Sequence, residues 1–169
     1  QGHFFVQDIS VPNITLASPN TASPLFGNAA GDFTIAGVAD DDSGIVEVKV
    51  AWIRPGPAQA DNQLSYMDRN STLWNDLGTD SEGNKVWSAD PGNYTFEADR
   101  YRYDFSLDLN LFDDLGIDGT DILMGSHLFV LRALDNNGKA RTLLLSTAGD
   151  TTPPVLSFTD ITVTSGASS

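Results

Sequence analysis

The chain has 169 residues, of which 40% are hydrophobic; this is enough for one core and leaves little for a second complete domain. Nine basic and 23 acidic residues give a formal net charge of −14, which argues against nucleic acid and anionic membrane surfaces, because both attract clusters of Lys and Arg. Cysteine is absent, which excludes disulfides and thiolate metal sites.

Apolar and polar residues alternate with a period of two between turn residues, and this pattern predicts an all-β chain. The first clear strand is predicted over residues 33–38 and is followed by an acidic turn at 40–44. A second strand is predicted over residues 45–53. One face of this second strand is predicted to carry Val46, Val48, Val50 and Trp52, and the other face Glu47 and Lys49.

The stretch from Arg54 to Gly92 is long and rich in turn residues, and it carries several aromatic side chains. An unstructured loop of this length is unusual in a compact domain. We therefore expect a long insertion that contains a short strand over residues 85–88 and one helical turn around residues 71–77.

The last part of the chain contains the clearest strand patterns. Residues 100–109 alternate strictly, with Tyr101, Tyr103 and three further apolar residues on one face. Residues 127–134 and 140–146 predict a hairpin around the turn Asp135-Asn136-Asn137-Gly138, where Asn and Gly tolerate the positive φ of a tight turn.

The beginning of the chain is partly repeated near its end. Residues 8–16 and residues 150–158 share an acidic residue, small or β-branched positions, a proline and then an alternating strand, at an offset of 142 residues. Such an offset predicts one module of a tandem array. We expect residues 1–11 to end a preceding repeat or linker, residues 12–149 to form the domain, and residues 150–169 to hold a linker and the first strand of a following repeat.

Short strands at this spacing predict a sandwich, and three segments carry a family resemblance. Residues 33–45, residues 131–139 and residues 150–154 resemble the B–C region, the F–G turn and the inter-repeat linker of bacterial immunoglobulin-like tandem-repeat surface domains, of the Big and cadherin-like kind. The resemblance implies an all-β, immunoglobulin-like antiparallel β-sandwich, here with a long insertion after strand C. At the end of that strand, Trp52 is expected to be a buried core residue.

The resemblance also implies an extracellular or cell-surface location. The function expected from it is that of a non-enzymatic structural or adhesion module, which spaces or presents binding domains in a secreted or surface-bound multi-repeat bacterial protein. Its expected partners are the neighbouring repeats of the same polypeptide and a host or cell-surface protein or glycan. Neither nucleic acid binding nor membrane insertion is expected.

In such a sandwich the B–C and F–G loops and the start of the first strand lie at one pole. A Ca²⁺ site is therefore one hypothesis for this pole, because Ca²⁺ takes six to eight oxygen ligands from flexible loops. The alternative is that Asp and Asn serve there only as turn residues. The candidate ligands are Asp8, Asp40, Asp41, Asp42, Asp135 and Asn136.

Four aromatic residues in or beside the insertion suggest a second possible function, a carbohydrate- or ligand-binding module. Exposed rings stack on the apolar faces of sugars, while nearby amides and carboxylates bind the hydroxyl groups. The alternative is that the rings anchor the insertion onto the sandwich. The four residues are Tyr66, Trp74, Trp87 and Tyr94.

An enzymatic function is not expected. The chain has two histidines, His3 and His127, and contains neither a Gly-x-Ser-x-Gly elbow nor a His-Glu-x-x-His zinc motif. Without cysteine, the parts needed for nucleophilic or zinc chemistry are missing.

Overall fold

The computed structural model describes residues 10–19, 31–116 and 127–147. The predicted preceding repeat (1–11, apart from its last two residues) and the predicted following repeat (150–169) lie outside these ranges, and so does Asp8. In chain order the described elements are β1 (Asn13–Ser18), β2 (Asp32–Asp41), β3 (Ile45–Ile53), α1 (Gln59–Met67), a 3-10 helix (Thr72–Asn75), β4 (Gly78–Thr79), β5 (Lys85–Ser88), β6 (Asp90–Glu97), β7 (Arg100–Asn110), β8 (His127–Asp135) and β9 (Ala140–Thr147).

The strands form two antiparallel sheets that pack face to face. One sheet has the order β1-β2-β7-β6 and the other has the order β4-β5-β3-β8-β9. These orders correspond to strands A-B-E-D and C′-C-F-G of an immunoglobulin-type sandwich, with β4 as an additional edge strand. The predicted fold class, an all-β immunoglobulin-like sandwich, is confirmed.

The main core lies between the two sheets. It is built from the residues that alternate along each strand and point inward. Ile35, Val50 and Phe129 are fully buried there, and Trp52 is 4% exposed, so the expected core tryptophan is confirmed. The rings of Phe33 and Phe129 meet across the interface with centroids 5.6 Å apart. Burial of this kind stabilises the fold by about 1.5–3 kcal/mol for each large apolar side chain.

A second, smaller core covers the outer face of the five-stranded sheet, where α1 and the 3-10 helix pack on β3 and β8. Strands β3 and β8 are therefore buried on both faces, which accounts for their nearly continuous apolar runs in the sequence. The buried members of this core are Ala51, Ile53, Tyr66, Trp74, Val86 and Val130.

The long insertion after strand C is confirmed, but its limits differ from the prediction. Residues 54–77 leave the sheets and form α1 and the 3-10 helix. The short edge strand β4 then joins the five-stranded sheet, and β5 and β6 place most of residues 85–92 in the two sheets. The expected strand at 85–88 and the expected turn around 71–77 both form. Helix α1 is not predicted from the sequence, because only Leu64, Tyr66 and Met67 are large apolar residues and they give no clear helical period.

The predicted position of Val46 on the inner face of β3 is wrong. The pairing of β3 with β8 shifts between Ile45 and Glu47, so that one extra residue lies opposite the partner strand. Such a bulge turns the extra side chain away from its alternating position. As a result Val46 is 51% exposed, while Ile45 is buried in the main core.

The described chain begins and ends at opposite poles of the sandwich. Asn13 pairs with Asp40, close to the turn between β2 and β3, so β1 starts at the pole of that turn. Strand β9 starts beside the turn after Asp135 and ends at Thr147, which pairs with His127 at the far end of β8. No helix in the described ranges is long and apolar enough to cross a membrane.

The hairpin turn between β6 and β7 holds two non-glycine residues in the left-handed region, Ala98 at φ 51° and Asp99 at φ 61°. This conformation costs alanine roughly 1–2 kcal/mol, whereas Asp tolerates it better. We expect Ala98→Gly to raise the free energy of unfolding by about 0.5–1 kcal/mol, after the greater flexibility of glycine in the unfolded chain is subtracted.

Urea unfolding measures this change, with Ala36→Gly in the middle of β2 as the control. Glycine in a strand interior destabilises, so the control should shift the unfolding midpoint in the opposite direction. If both substitutions lower the midpoint, the left-handed turn at Ala98 does not carry the expected strain.

Candidate functional site

Three turns and the start of the described chain meet at one pole, which we call the N-terminal pole. It consists of the β2–β3 turn, the β6–β7 turn, the β8–β9 turn and Ser10. The backbone N–H of Asn136 donates to the carbonyl of Gly44 at 3.1 Å, and the Asn136 side-chain amide donates to the carbonyl of Ser43 at 2.6 Å. The hydroxyl of Ser10 donates to a carboxylate oxygen of Asp42 at 2.8 Å.

The structure brings two of the predicted cation ligands, Asp41 and Asp42, together through Ser10. The Ser10 hydroxyl lies 3.2 Å from the second oxygen of Asp41 and 2.8 Å from Asp42. The first oxygen of Asp41 accepts hydrogen bonds from the backbone N–H and the hydroxyl of Ser43, at 2.8 and 2.7 Å. Asp41 is fully buried, so these donors replace the water that the carboxylate would otherwise bind.

Asp40 points to the opposite face of β2 from Asp41, as neighbouring residues of a strand do. There it forms an ion pair with Arg100 and accepts a hydrogen bond from the side-chain amide of Asn13 at 3.1 Å. Asp40 is therefore not brought together with Asp41 and Asp42.

The other two predicted ligands form the β8–β9 turn. One oxygen of Asp135 accepts from the backbone N–H groups of Asn137 and Lys139, both at 2.8 Å, and Asp135 is 1% exposed. Asn136 connects this turn to the β2–β3 turn, so Asp135 and Asn136 act as turn residues in this structure. Within residues 10–19, 31–116 and 127–147, no group of three or more His, Asp or Glu side chains is arranged to hold a metal ion.

Two of the four predicted binding rings, Tyr66 and Trp74, are buried in the second core. Tyr66 is 1% exposed and Trp74 is fully buried, and their rings meet edge to face with centroids 5.3 Å apart. The indole N–H of Trp74 donates to the carbonyl of Tyr66 at 3.2 Å. A sugar stacks only on an accessible ring, so these two side chains anchor α1 and the 3-10 helix and offer no platform.

Charged residues of β3 and β8 fasten the insertion to the five-stranded sheet. Glu47 forms ion pairs with Lys49, at 3.0 Å, and with Arg132. The Lys49 ammonium donates to the carbonyl of Trp74 at 2.8 Å, and the Arg132 guanidinium lies 4.9 Å from the centre of the Trp74 ring. One acidic side chain thus holds two cations in contact with the same buried tryptophan.

A loop before β5 adds a polar link to the second core. The Tyr66 hydroxyl donates to Asp80 at 3.0 Å, and the Asn84 side-chain amide donates to the same oxygen at 3.0 Å. The other Asp80 oxygen accepts from the backbone N–H groups of Glu82 and Asn84. Burial on its own raises the pKa of Asp80, but the hydrogen bonds from Asn84, Tyr66 and the backbone outweigh it and lower this pKa. Burial, together with the bond to Asp80, raises the pKa of Tyr66.

The lowered pKa of Asp80 predicts a contribution to stability that depends on pH. A carboxyl group whose pKa is lower in the folded chain stabilises the fold above its unfolded-state pKa, and this contribution is lost as the pH falls through the folded-state value. We expect the stability of Asp80→Asn to change less than that of the unaltered chain as the pH falls below the ordinary Asp value of 3.8.

Urea unfolding at a series of pH values tests this prediction. Asp61→Asn, in the first turn of α1, is the control, because Asp61 is exposed and lies outside the loop that holds Asp80. If Asp80→Asn and Asp61→Asn have the same pH profile, the Asp80 hydrogen bonds do not stabilise the folded state.

The other two predicted binding rings differ in exposure. Trp87 is partly buried and packs against the main core, whereas Tyr94 is 48% exposed. Tyr94 stacks on Tyr101, with ring centroids 5.6 Å apart and an interplanar angle of 23°. The ring centroid of Phe96 lies 4.7 Å from that of Tyr101. Sequence reasoning missed Phe96 because no strand was predicted over residues 90–97. It placed Tyr101 on the apolar face of its strand, but alternation does not show that the opposing sheet leaves this ring uncovered.

The outer face of the four-stranded sheet carries a shallow open depression of about 280 Å³ near the same pole. Its charged lining residues form two ion pairs, Arg100 with Asp40 and Arg102 with Glu97, the latter at 2.7 Å. Opposite charges are thus balanced within the depression.

Neither the protein-family models, nor the curated proteins, nor the solved structures that were compared with this chain give a match.

Proposed function

We propose that this chain is a non-enzymatic structural or adhesion module of an extracellular multi-repeat bacterial protein, in which it spaces or presents binding domains. One observation carries the proposal: the described chain starts at the N-terminal pole, beside Asp41 and Asp42, and β9 ends at the opposite pole. Modules connected through opposite poles form a linear array, in which each module contacts only its neighbours.

The partial repeat supports the same proposal. At the 142-residue offset Ser10 corresponds to Thr152, and the inward residues Ile14 and Leu16 of β1 correspond to Leu156 and Phe158. The hydroxyl group and the apolar alternation are therefore present at both ends of the chain. The neighbouring repeats of the same polypeptide are the proposed partners, together with a host or cell-surface protein or glycan, and the proposed location is outside the cell.

The gene that encodes this chain gives the first test. We expect further copies at a spacing near 142 residues, with a secretion signal and a surface anchor. Small-angle X-ray scattering of two copies joined at this spacing gives the second test, with an elongated particle about twice the length of one module as the expected result. The array would be contradicted by a gene that encodes only one copy of the module. It would also be contradicted by a particle in which the two joined copies lie side by side.

The Ca²⁺ hypothesis for the N-terminal pole stays a prediction. Ca²⁺ bound to the folded chain but not to the unfolded chain would raise the melting temperature and stiffen the joint between modules. Melting in millimolar Ca²⁺ and in excess chelator measures this difference. An unchanged melting temperature would remove Ca²⁺ from the proposal and would leave the array untouched.

A further inference from the structure

Three aromatic side chains on the inner face of the four-stranded sheet are exposed, and we call them the hairpin aromatic surface: Tyr94, Phe96 and Tyr101. Their exposed fractions are 48%, 61% and 36%. Phe96 pairs directly with Tyr101 across the β6–β7 hairpin, and Tyr101 pairs directly with the fully buried Asp41. Directly paired residues, and residues two apart in one strand, share a face, so all three rings project towards the opposing sheet.

The five-stranded sheet leaves this surface uncovered because β5 is short. Strand β5 pairs with β3 only from Lys49 to Trp52, and the chain then crosses to the other sheet, where β6 begins at Asp90. Over residues 45–48, β3 is therefore the outermost strand of its sheet on the side of the hairpin. Inner-face residues of a sandwich normally interdigitate with the opposing sheet, so rings that lie past its edge stay in contact with solvent.

The hairpin aromatic surface has the features of an interaction site, in which exposed apolar groups are contiguous and have a polar rim. The ring centroid of Tyr101 lies 5.6 Å from that of Tyr94 and 4.7 Å from that of Phe96, so the rings are contiguous. The rim is the β2–β3 turn, since a Cβ on Gly44 would lie 2.6 Å from the Tyr94 hydroxyl and 2.8 Å from the side-chain nitrogen of Asn136.

The orientation of the rings favours a compact charged group over a sugar. Tyr94 and Tyr101 stack on each other with 23° between their planes, so each ring has one face occupied by the other. Phe96 is tilted by 53° against Tyr101. The three rings therefore form no common plane on which a sugar ring could lie flat. A cation needs only one accessible ring face, within about 6 Å of the ring centre.

The carboxylates beside the rings supply negative charge. Asp42 in the β2–β3 turn and Asp99 in the β6–β7 turn are both exposed. Asp41, the direct partner of Tyr101, adds a buried carboxylate. The surface thus combines aromatic faces with negative charge, and both attract a cation.

The basic residues near this pole leave that charge uncompensated. All nine Lys and Arg residues of the chain lie within the described ranges. The two in the hairpin, Arg100 and Arg102, project from the outer face and form the ion pairs of the depression there. The β8–β9 turn adds one charge of each sign, at Asp135 and Lys139, and Arg141 follows on β9, at the opposite edge of the sheet from β5.

We propose that the hairpin aromatic surface docks a segment of a partner protein through an Arg or Lys side chain of that segment. The cation lies over an exposed ring, with Asp42 and Asp99 as countercharges in the flanking turns. The formal net charge of −14 attracts a basic partner and speeds its encounter, whereas it repels a second copy of this chain. The inference deepens the adhesion function proposed above by naming the chemistry of the partner, and it rests on that function.

A titration of the ¹⁵N-labelled chain followed by nuclear magnetic resonance tests the proposal. The probe is the peptide acetyl-Gly-Arg-Gly-Arg-Gly-amide, and the matched probe has citrulline, which is similar in shape but uncharged, in place of both arginines. We expect the Arg peptide to shift the amide signals of Phe96 and Tyr101, and the shifts to shrink at about 1 M salt, where charges are screened beyond about 3 Å. Equal shifts with the citrulline peptide would overturn the proposal.

Two variants separate the ring from the charge. Phe96→Leu keeps an apolar side chain but removes the most exposed ring, and it should weaken peptide binding roughly 2–5-fold, with Leu64→Ala, a 68% exposed position on α1, as the control that leaves binding unchanged. Asp42→Asn should also weaken binding, whereas Asp61→Asn on α1 should not. Binding that is unchanged in both Phe96→Leu and Asp42→Asn would contradict the assigned surface.

The remaining outcomes identify other occupants. Absence of shifts with the Arg peptide would overturn the proposal. Shifts of the same amides with cellotetraose but not with the Arg peptide would assign the surface to a glycan, and shifts that grow with protein concentration alone would assign it to a second copy. The scattering experiment on two joined modules does not involve this peptide, so an elongated particle would still support the array if the peptide failed to bind.

Discussion

Trp74→Ala should lower the free energy of unfolding by about 3–5 kcal/mol, one of the two largest effects expected for single substitutions in this chain. Trp74 is fully buried, contacts the edge of Tyr66 and lies under the guanidinium of Arg132. Its removal leaves a cavity in a core that is shared by α1, the 3-10 helix and the outer face of the sheet. A domain of ordinary stability, about 5–15 kcal/mol, survives this loss but unfolds at a much lower urea concentration.

Urea unfolding followed by far-ultraviolet circular dichroism measures the change. Leu77→Ala, in the same insertion, is the control; Leu77 is 59% exposed, and we expect a change within about 0.5 kcal/mol. If Trp74→Ala were as mild as Leu77→Ala, the ring would not anchor the insertion, and the interpretation of Trp74 as a binding platform would return.

Glu47→Leu should destabilise the chain by about 3 kcal/mol, because it leaves two nearly buried cations without their shared counter-charge. The side chains of Arg132 and Lys49 are 7% and 12% exposed, and both pair with Glu47. Loss of one partner of a buried pair costs about 3–5 kcal/mol, and the 24% exposure of Glu47 places the expected value at the lower end.

The chain provides a matched exposed pair for comparison. Glu97 and Arg102 have side chains 66% and 43% exposed, and surface pairs of this kind contribute about 0–1 kcal/mol, so Glu97→Leu should have little effect. Combining Glu47→Leu with Arg132→Met should cost less than the sum of the two single substitutions, because one of the two uncompensated cations is gone and Lys49 alone is left without its partner. Equal unfolding midpoints for Glu47→Leu and Glu97→Leu would show that Glu47 does not hold the insertion.

Several strands of this fold follow from local sequence, whereas β6 was not predicted and the arrangement of the insertion depends on contacts between distant residues. Alternation and turn chemistry are properties of adjacent residues, so β7 and the β8–β9 hairpin could be predicted. The buried position of Trp52 was expected from the resemblance of its strand to strand C of an immunoglobulin-like domain. The exposure of Val46 depends on a register shift against β8, which no local pattern reveals. Helix α1 is held mainly by the burial of Tyr66 against the sheet and has few apolar residues of its own.

The candidate site, like the fold, was predicted only in part from the sequence. The meeting of the β2–β3 and β8–β9 turns follows from the strand order of the sandwich, and Asn136 confirms it. The direction of each carboxylate does not follow, because Asp40 and Asp41 are neighbours in sequence but belong to opposite faces. Likewise, composition does not separate a buried Trp74 from an exposed Tyr94, since both are aromatic residues among polar neighbours.

The placement of the start of β1 and the end of β9 at opposite poles also determines how the described domain responds to a pulling force. Strand β1 leads from the N-terminal pole and pairs with β2, while β9 leads to the opposite pole and pairs with β8. Tension applied through the two ends therefore acts along these strands and perpendicular to their inter-strand hydrogen bonds. The bonds of each ladder then share the load and must shear together, whereas ends placed at one pole would let them open one at a time.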